Sequence, residues 1–327
     1  MPTLQRLAEL ALWFAAAALP AVAPSVLAQD YPSRPIRMIV SASQGGTTDL
    51  LARMVGARLT EIFRQPVVIE NKPSGFGVLA AELTAASPAD GYTLLACWHT
   101  HTINAAMNAK LSYHPVDSFT PITQFTSAGL LLVVNPAAPA RTLQEFIEWA
   151  KASRTPLQFG SAGNGSGGHL AGELLKVMTG AKGQHVPYKG TAPAMTDLLA
   201  GRYDFSFAAQ QGAPPNLVRA GKLRALAVTT ARRLAAWPEL PAMAEALPGF
   251  EVIGWYGLLA PANLPKPIAM RLYQEVRKAL ELPEVRERIL ADGAEPVGNT
   301  PEDFRRFLHA DLVKWSKLVK ESGARLD

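Results

Sequence analysis

The sequence predicts an α/β protein built as two lobes, and three observations carry that expectation. Strand and helix signals alternate from residue 36 onward; the alternation comes as two separate series; and apolar runs near Leu130 and Trp255 mark two places where the chain can cross between them. With 327 residues, 48% apolar and 18% charged, the chain has globular composition and length for two ordinary domains.

Before the first series, an apolar stretch from Leu10 to Ala23 is followed by Val26-Leu27-Ala28, a small-residue cleavage pattern. This reads as a secretory signal peptide over residues 1–28 and a mature protein starting near Gln29, because Pro20 and Pro24 interrupt the stretch before it can act as a spanning helix. Glu9 neutralises the charge of Arg6, and no cysteine stands at the cleavage site for a lipid anchor. The single cysteine, Cys97, lies in an apolar run and suits packing; it has no partner for an internal disulfide.

In the first series, Ile36 to Val40 is a β-branched strand signal broken by Gly45-Gly46-Thr47-Thr48-Asp49, and Leu51, Val55, Arg58 and Ile62 mark a helical face. Val67 to Ile69 reads as a strand, Leu79 to Ala86 as a helix, and Asp90-Gly91 as a turn into the strand Tyr92 to Cys97. This βαβαβ rhythm predicts a mostly parallel sheet.

The second series opens with the strand Leu130 to Val134. Helices follow over Arg141 to Lys151, Leu170 to Met178, Ala192 to Leu199 capped by Thr191, and Pro214 to Ala220. Strands fall at Leu157 to Phe159, His185 to Val186, Tyr203 to Phe207 and Leu223 to Val228. A strand around Gly254 to Leu259 and helices beginning near Pro267, Pro283 and Pro301 complete the chain, the last with a Thr300–Asp303 capping pattern. Crossings near Leu130 and Trp255 place residues 29–126 with 251–327 in one discontinuous lobe and 127–250 in the other, joined by a two-strand hinge.

Two Gly-rich loops follow a strand and open a helix, where free N–H groups and the helix dipole favour an anion: Ser43-Gln44-Gly45-Gly46-Thr47-Thr48-Asp49, and Gly160 to Gly168. One in each series suggests facing anion sites across a cleft; permissive turns are the plainer reading of both. A net charge of +5 agrees with an anionic solute or with solubility alone, while the absence of a basic run interleaved with aromatics argues against nucleic acid. Gly163, Gly165 and Gly168 match the dinucleotide spacing, but the strand ending at Val186-Pro187-Tyr188-Lys189 has no acidic residue for a ribose hydroxyl, so no cofactor is expected. His99 and His101 flank Thr100 after a strand and suit polar lining of a site, a metal pair or ordinary surface histidines. Ser161 or Ser166 with His169 and Asp204 would make a hydrolase, without the Gly-x-Ser-x-Gly context that chemistry usually has. Tyr203, Phe205 and Phe207 alternate as core residues do.

At Tyr31-Pro32-Ser33-Arg34-Pro35-Ile36, Gly45-Gly46 with Thr48-Asp49, Gln65-Pro66-Val67-Val68-Ile69-Glu70-Asn71, Asp90-Gly91-Tyr92, Ser161-Ala162-Gly163-Asn164-Gly165, His169-Leu170-Ala171-Gly172-Glu173-Leu174, Val186-Pro187-Tyr188-Lys189-Gly190 and Gly257-Leu258-Leu259-Ala260-Pro261, the sequence resembles the solute receptors of tripartite tricarboxylate transporters, the Bug-type periplasmic binding proteins. The resemblance implies a type II binding-protein fold, a periplasmic location, a small organic carboxylate as solute, delivery to the membrane subunits of a transporter, and no catalysis; a monomer suits such a shuttle, and a sensor for a signalling receptor is the alternative. It implies solute contacts from Ser43, Gln44, Gly45, Gly46, Thr47 and Asp49 on one side and Ser161, Ala162, Gly163, Asn164, Gly165, His169, Tyr188 and Asp204 on the other, with His99, Thr100 and His101 nearby. Ser41, Ser43, Gln44, Val78 beside Phe76 and Gly77, and Ala208 depart from the family's pattern, so a familiar fold with a changed pocket is expected.

Overall fold

The computed structural model describes residues 31–73, 77–108, 110–210 and 212–323. The expected leader, the mature start at Gln29 and Phe76 lie outside the described residues. No helix among the described residues is long and apolar enough to cross a membrane.

The first series runs β1 (Ile36–Val40), α1 (Thr47–Phe63), β2 (Val67–Asn71), α2 (Val78–Ala85), β3 (Thr93–Trp98) and α3 (Thr100–Met107). A long strand, β4 (Phe119–Val134), leads to α4 (Leu143–Ala152), β5 (Leu157–Ser161), α5 (Gly167–Thr179), β6 (Gly183–Pro187), α6 (Thr191–Leu199), β7 (Phe205–Ala209), α7 (Ala213–Arg219) and β8 (Arg224–Val228). After α8 (Met243–Ala246) come β9 (Ile253–Pro261), α9 (Lys266–Glu281), α10 (Pro283–Ala291), β10 (Glu295–Pro296) and α11 (Pro301–Ser322).

The strands order as β2-β1-β3-β9-β4-β7-β5-β6, with β8 and β10 also on β4. β1 pairs in parallel with β2 and β3, and β5 with β6 and β7, as helical crossovers require. β4 belongs to both halves of this sheet: Phe119 to Gly129 pair antiparallel with β9, and Leu130 to Val134 with β7 and β8. Only its last five residues are legible as a strand in the sequence. The turn between halves is stitched by Thr229, whose hydroxyl accepts from Leu130 N (2.7 Å) and donates to Val252 O (2.6 Å), while its own N–H donates to Leu130 O (2.9 Å).

Each half is buried on both faces. Along β1, Met38 and Val40 pack under α1 and α9 while Ile39 packs with Phe119, Trp255, Phe304 and Leu308, the two-residue period of a strand covered on both sides. In α1 the buried stripe is Leu51, Val55, Leu59 and Phe63. Steps of four from Leu51 keep these on one face, so the expected face through Arg58 and Ile62 is displaced, and Ile62 stands 45% exposed. In the other half Phe159, Phe205 and Phe207 pack under α4 and α5, and Leu131, Val133 and Tyr203 on the opposite face. α11 straddles both: Phe304 and Leu308 join the first half's core, Trp315 and Leu318 the second's. That attachment is invisible to a division drawn only at the strand crossings.

α5 lies hard against the sheet because it presents glycines there. A Cβ at Gly172 would stand 2.1 Å from the Phe159 ring, and one at Gly168 2.6 Å from Phe207 O. Thr300 caps α11 as expected, accepting from Asp303 N, whereas Thr191 lies inside α6 and Gly190 takes the cap position. Cys97 is buried, and burial pushes its thiol pKa well up, as its packing role anticipates.

Candidate functional site

A cavity of about 470 Å³ is lined from both halves of the sheet. Trp98, His99, Thr100, Gly254 and Tyr256 come from β3, α3 and β9; Ala162 to Gly168 from the β5–α5 loop; Tyr188, Lys189, Thr191, Ala194 and Met195 from the β6–α6 segment; and Ser206 to Ala209 from β7, with Leu130 at the crossing.

The β5–α5 loop is held open by backbone conformation and side-chain braces. Gly163 and Gly165 adopt φ of 132° and 73°, which disfavour a side chain. Ser161 Oγ accepts from Gly163 N (3.1 Å) and lies 2.6 Å from His185 Nε2; His169 Nδ1 accepts from Gly165 N (3.0 Å) and its ring stacks on His185 at 4.0 Å. Ser166 caps α5 by accepting from His169 N. The first turn of α5, Gly167 and Gly168, therefore faces the cavity, and first-turn N–H groups have no acceptor within their own helix. With the helix dipole behind them, this end of the cavity favours a carboxylate.

The opposite wall carries polar atoms in want of partners. Both ring nitrogens of His99 and Nε1 of Trp98 are shielded from solvent and make no hydrogen bond. Burial pushes the His99 pKa down to about 4, against a smaller upward pull from Asp311 and with Lys314 adding to the depression, so the ring is neutral at neutral pH. His101 is likewise pushed down to about 4 by burial, and His185 to about 3 by burial and the neighbouring His169. Unfolded histidine takes up its proton near pH 6.5 and these folded rings do not. Stability is therefore fully present above pH 6.5 and lost as pH falls from there toward 4. Scanning calorimetry from pH 7.5 to 4.5 is expected to show a level midpoint above about pH 7 and a falling one below 6.5; a level midpoint down to pH 5 would contradict the buried neutral state.

Several expected contacts fall elsewhere. β3 runs on through Trp98 and α3 begins at Thr100, so His99 and His101 sit on different sides of a helical turn rather than on one strand face. His101 points into the core, its Nε2 2.8 Å from Pro115 O and its ring stacked on Tyr113. Asp204 Oδ2 accepts from Gln158 N (2.6 Å), tying the β7 edge to β5. Asp49 is buried, and although burial alone would raise its pKa, hydrogen bonds from Arg53, Gly45 and Asn71 outweigh it and hold the carboxyl below its usual range. Asp49 thus braces the first Gly-rich loop and does not line the cavity. Ser43, Gln44 and Gly45 are exposed and, with Gly46, do not line it; Thr47 lines a separate cavity of about 270 Å³ beside Leu50, Met54 and Arg288, while hydrogen-bonding Tyr256 of the main one. Ser161 and His169 brace the second loop from behind.

The structure brings His99, Thr100, Ala162, Gly163, Asn164, Gly165 and Tyr188 together around the cavity. Sequence reasoning missed Trp98, Leu130, Met195 and Tyr256, and took Phe207 for core alone. The usable signal was position: Trp98 ends a strand that leads straight into a helix, the edge from which α/β proteins present ligand contacts. For the hydrolase alternative, Ser161 pairs with His185 rather than His169 and stands off the cavity wall.

The model of the tripartite tricarboxylate transporter family receptor matches residues 51–324. Protein BugT of Bordetella pertussis is 34% identical over 310 residues, 93% of this chain and 94% of that one. Among solved structures, Rpa4515 of R. palustris with adipate is 36% identical with a TM-score of 0.75, covering 91% of this chain and all of that one. MatC from Rhodopseudomonas palustris with bound malate is 32% identical with a TM-score of 0.71, covering 88% of this chain and all of the other.

Proposed function

We propose that this chain, which belongs to the tripartite tricarboxylate transporter receptor family, captures a small organic carboxylate between two lobes in the periplasm and delivers it, as a monomer and without chemistry or cofactor, to the membrane subunits of a transporter. The observation that carries this reading is the cavity itself: it joins the first turn of α5 on one side to unpartnered donors on the other, and its lining comes from both halves of the sheet. Adipate and malate in two relatives support a carboxylate.

On this reading residues 29–126 with 251–327 and residues 127–250 close as lobes about the Thr229 crossing, because only the closed form contacts the solute from both sides. Converting a mostly open population to a mostly closed one needs about 5 kcal/mol of differential binding, which several charge-assisted hydrogen bonds supply. The test is a thermal-shift screen of residues 29–327 against carboxylates, amino acids, sugars and NAD. A ligand at a thousandfold its Kd adds about 4 kcal/mol, and the midpoint is expected to rise by several degrees with carboxylates only. A shift confined to sugars or NAD would overturn the reading.

A further inference from the structure

We propose that Trp98 and His99 are the specificity-determining pair of the cavity, and that they select a 2-hydroxy monocarboxylate with an apolar body over a dicarboxylate of the same skeleton. The inference rests on the carboxylate reading above and adds the class of solute.

Three features of the wall converge on it. The pair offers two donors and one acceptor: the indole N–H of Trp98, one N–H of a neutral His99 ring, and the other ring nitrogen as a lone pair. A carboxylate can take the donors but leaves the lone pair facing an anion with no proton to share; a hydroxyl accepts from one group and donates to the other, satisfying both. Placement fixes where that hydroxyl must lie. A Cβ built on Gly167 would stand 3.9 Å from His99 Nε2, so the imidazole reaches the first turn of α5, and the group it reads is on the carbon next to a carboxylate held there.

Charge points the same way. The buried Asp311 carboxylate acts on His99 electrostatically; it accepts from Thr102 Oγ1 (2.7 Å) and Trp255 Nε1 (3.0 Å), with Lys314 Nζ 3.4 Å from its other oxygen. A second ligand carboxylate beside His99 would feel this anion, offset in part by Lys314, and Lys189 is the one cationic side chain lining the cavity among the described residues. Leu130, Met195, Phe207 and Ala208 give the wall a hydrocarbon patch, beside the hydroxyl-bearing Tyr188, Thr191 and Tyr256. Leaving buried donors and acceptors unmatched costs a ligand at least a factor of ten, and often far more.

Two matched trios test this by isothermal titration calorimetry at pH 7.5: phenylacetate, mandelate and phenylmalonate, and hexanoate, 2-hydroxyhexanoate and butylmalonate. In each trio the 2-hydroxy acid is expected to bind at least tenfold tighter than both companions. His99→Phe should erase that preference, leaving the 2-hydroxy acid within a few-fold of its unsubstituted companion, and Trp98→Phe, which removes the indole N–H donor and trims the ring, should reduce it; circular dichroism and the thermal midpoint check folding. If His99→Phe does not fold, the wild-type panel and Trp98→Phe decide. Malonates that bind as tightly as the hydroxy acids, or a preference untouched by either variant, would overturn this inference alone, as would binding of other carboxylates with none of the hydroxy acids. Failure of every carboxylate, here and in the thermal-shift screen, would take the receptor reading down with it.

Discussion

Trp255→Ala is expected to lower folding stability by about 4 kcal/mol, the middle of the range for truncating a fully buried large aromatic. The indole is 0% exposed, packs edge-on against Phe304 (5.6 Å) and Phe307 (6.0 Å), and donates to Asp311. Its removal leaves a void where β9 meets α11 and takes one hydrogen bond from a buried carboxylate, so the transfer loss and the desolvation of Asp311 act together. Trp255→Phe separates the two: it keeps most of the packing and loses the N–H, for an expected loss of about 2 kcal/mol. In a protein of this size the alanine variant should lower the thermal midpoint by about 6 °C. A loss under 1 kcal/mol in urea denaturation would mean that the neighbouring aromatics collapse into the space. Trp255 O also accepts from His99 N (2.9 Å), and its chain neighbours Gly254 and Tyr256 line the cavity, so the variant should weaken ligand binding as well, through the shift of β9.

How much of this was legible in the sequence depends on the range of the signal. β1 through β3 and their helices are periodic over short windows, and parallel pairing follows from the crossover helices, so the two α/β series could be read directly. β4 could not be read whole: Phe119 to Gly129 contains Pro121, two threonines in the next five residues and Gly129, a composition without strand periodicity, and it is a strand because β9 pairs with it. The straddling of α11 is a tertiary fact. Its capping pattern was visible, but nothing local says that Phe304 and Trp315 enter different cores. At the site, the Gly-rich loop before α5 was legible because backbone chemistry writes itself as glycine. The first Gly-rich loop looked equivalent, but Asp49 braces it through Gly45 N and its residues do not line the main cavity. His101 was misplaced by a single residue of strand length, which turned a strand pair into a helical one.

Ala162→Asp is expected to weaken carboxylate binding about 100-fold while leaving stability unchanged or slightly raised. Ala162 is exposed, lines the cavity, and precedes α5 in the loop whose conformation is set by Gly163 and Gly165 rather than by its methyl group. Its backbone oxygen accepts from Gly190 N (3.1 Å), a bond that substitution leaves intact. A carboxylate there approaches the same helix N-terminus that the solute's carboxylate would use. To the folded protein such a charge is worth about 0.3–1 kcal/mol in its favour. To an incoming anion it is a like charge: about 4 kcal/mol at 4 Å and an effective dielectric of 20, less at the open edge of a cavity, which leaves roughly the 2.7 kcal/mol of a hundredfold loss. Ala162→Asn carries the same shape without the charge and should bind within a few-fold of the wild type. The opposite signs of the two effects are what make the variant informative, because a folding defect would lower both quantities together. If Ala162→Asp binds within threefold of the wild type, the carboxylate is not held at the first turn of α5, and the polarity of the cavity runs the other way, with the acid against Trp98 and His99 and the apolar body toward the loop.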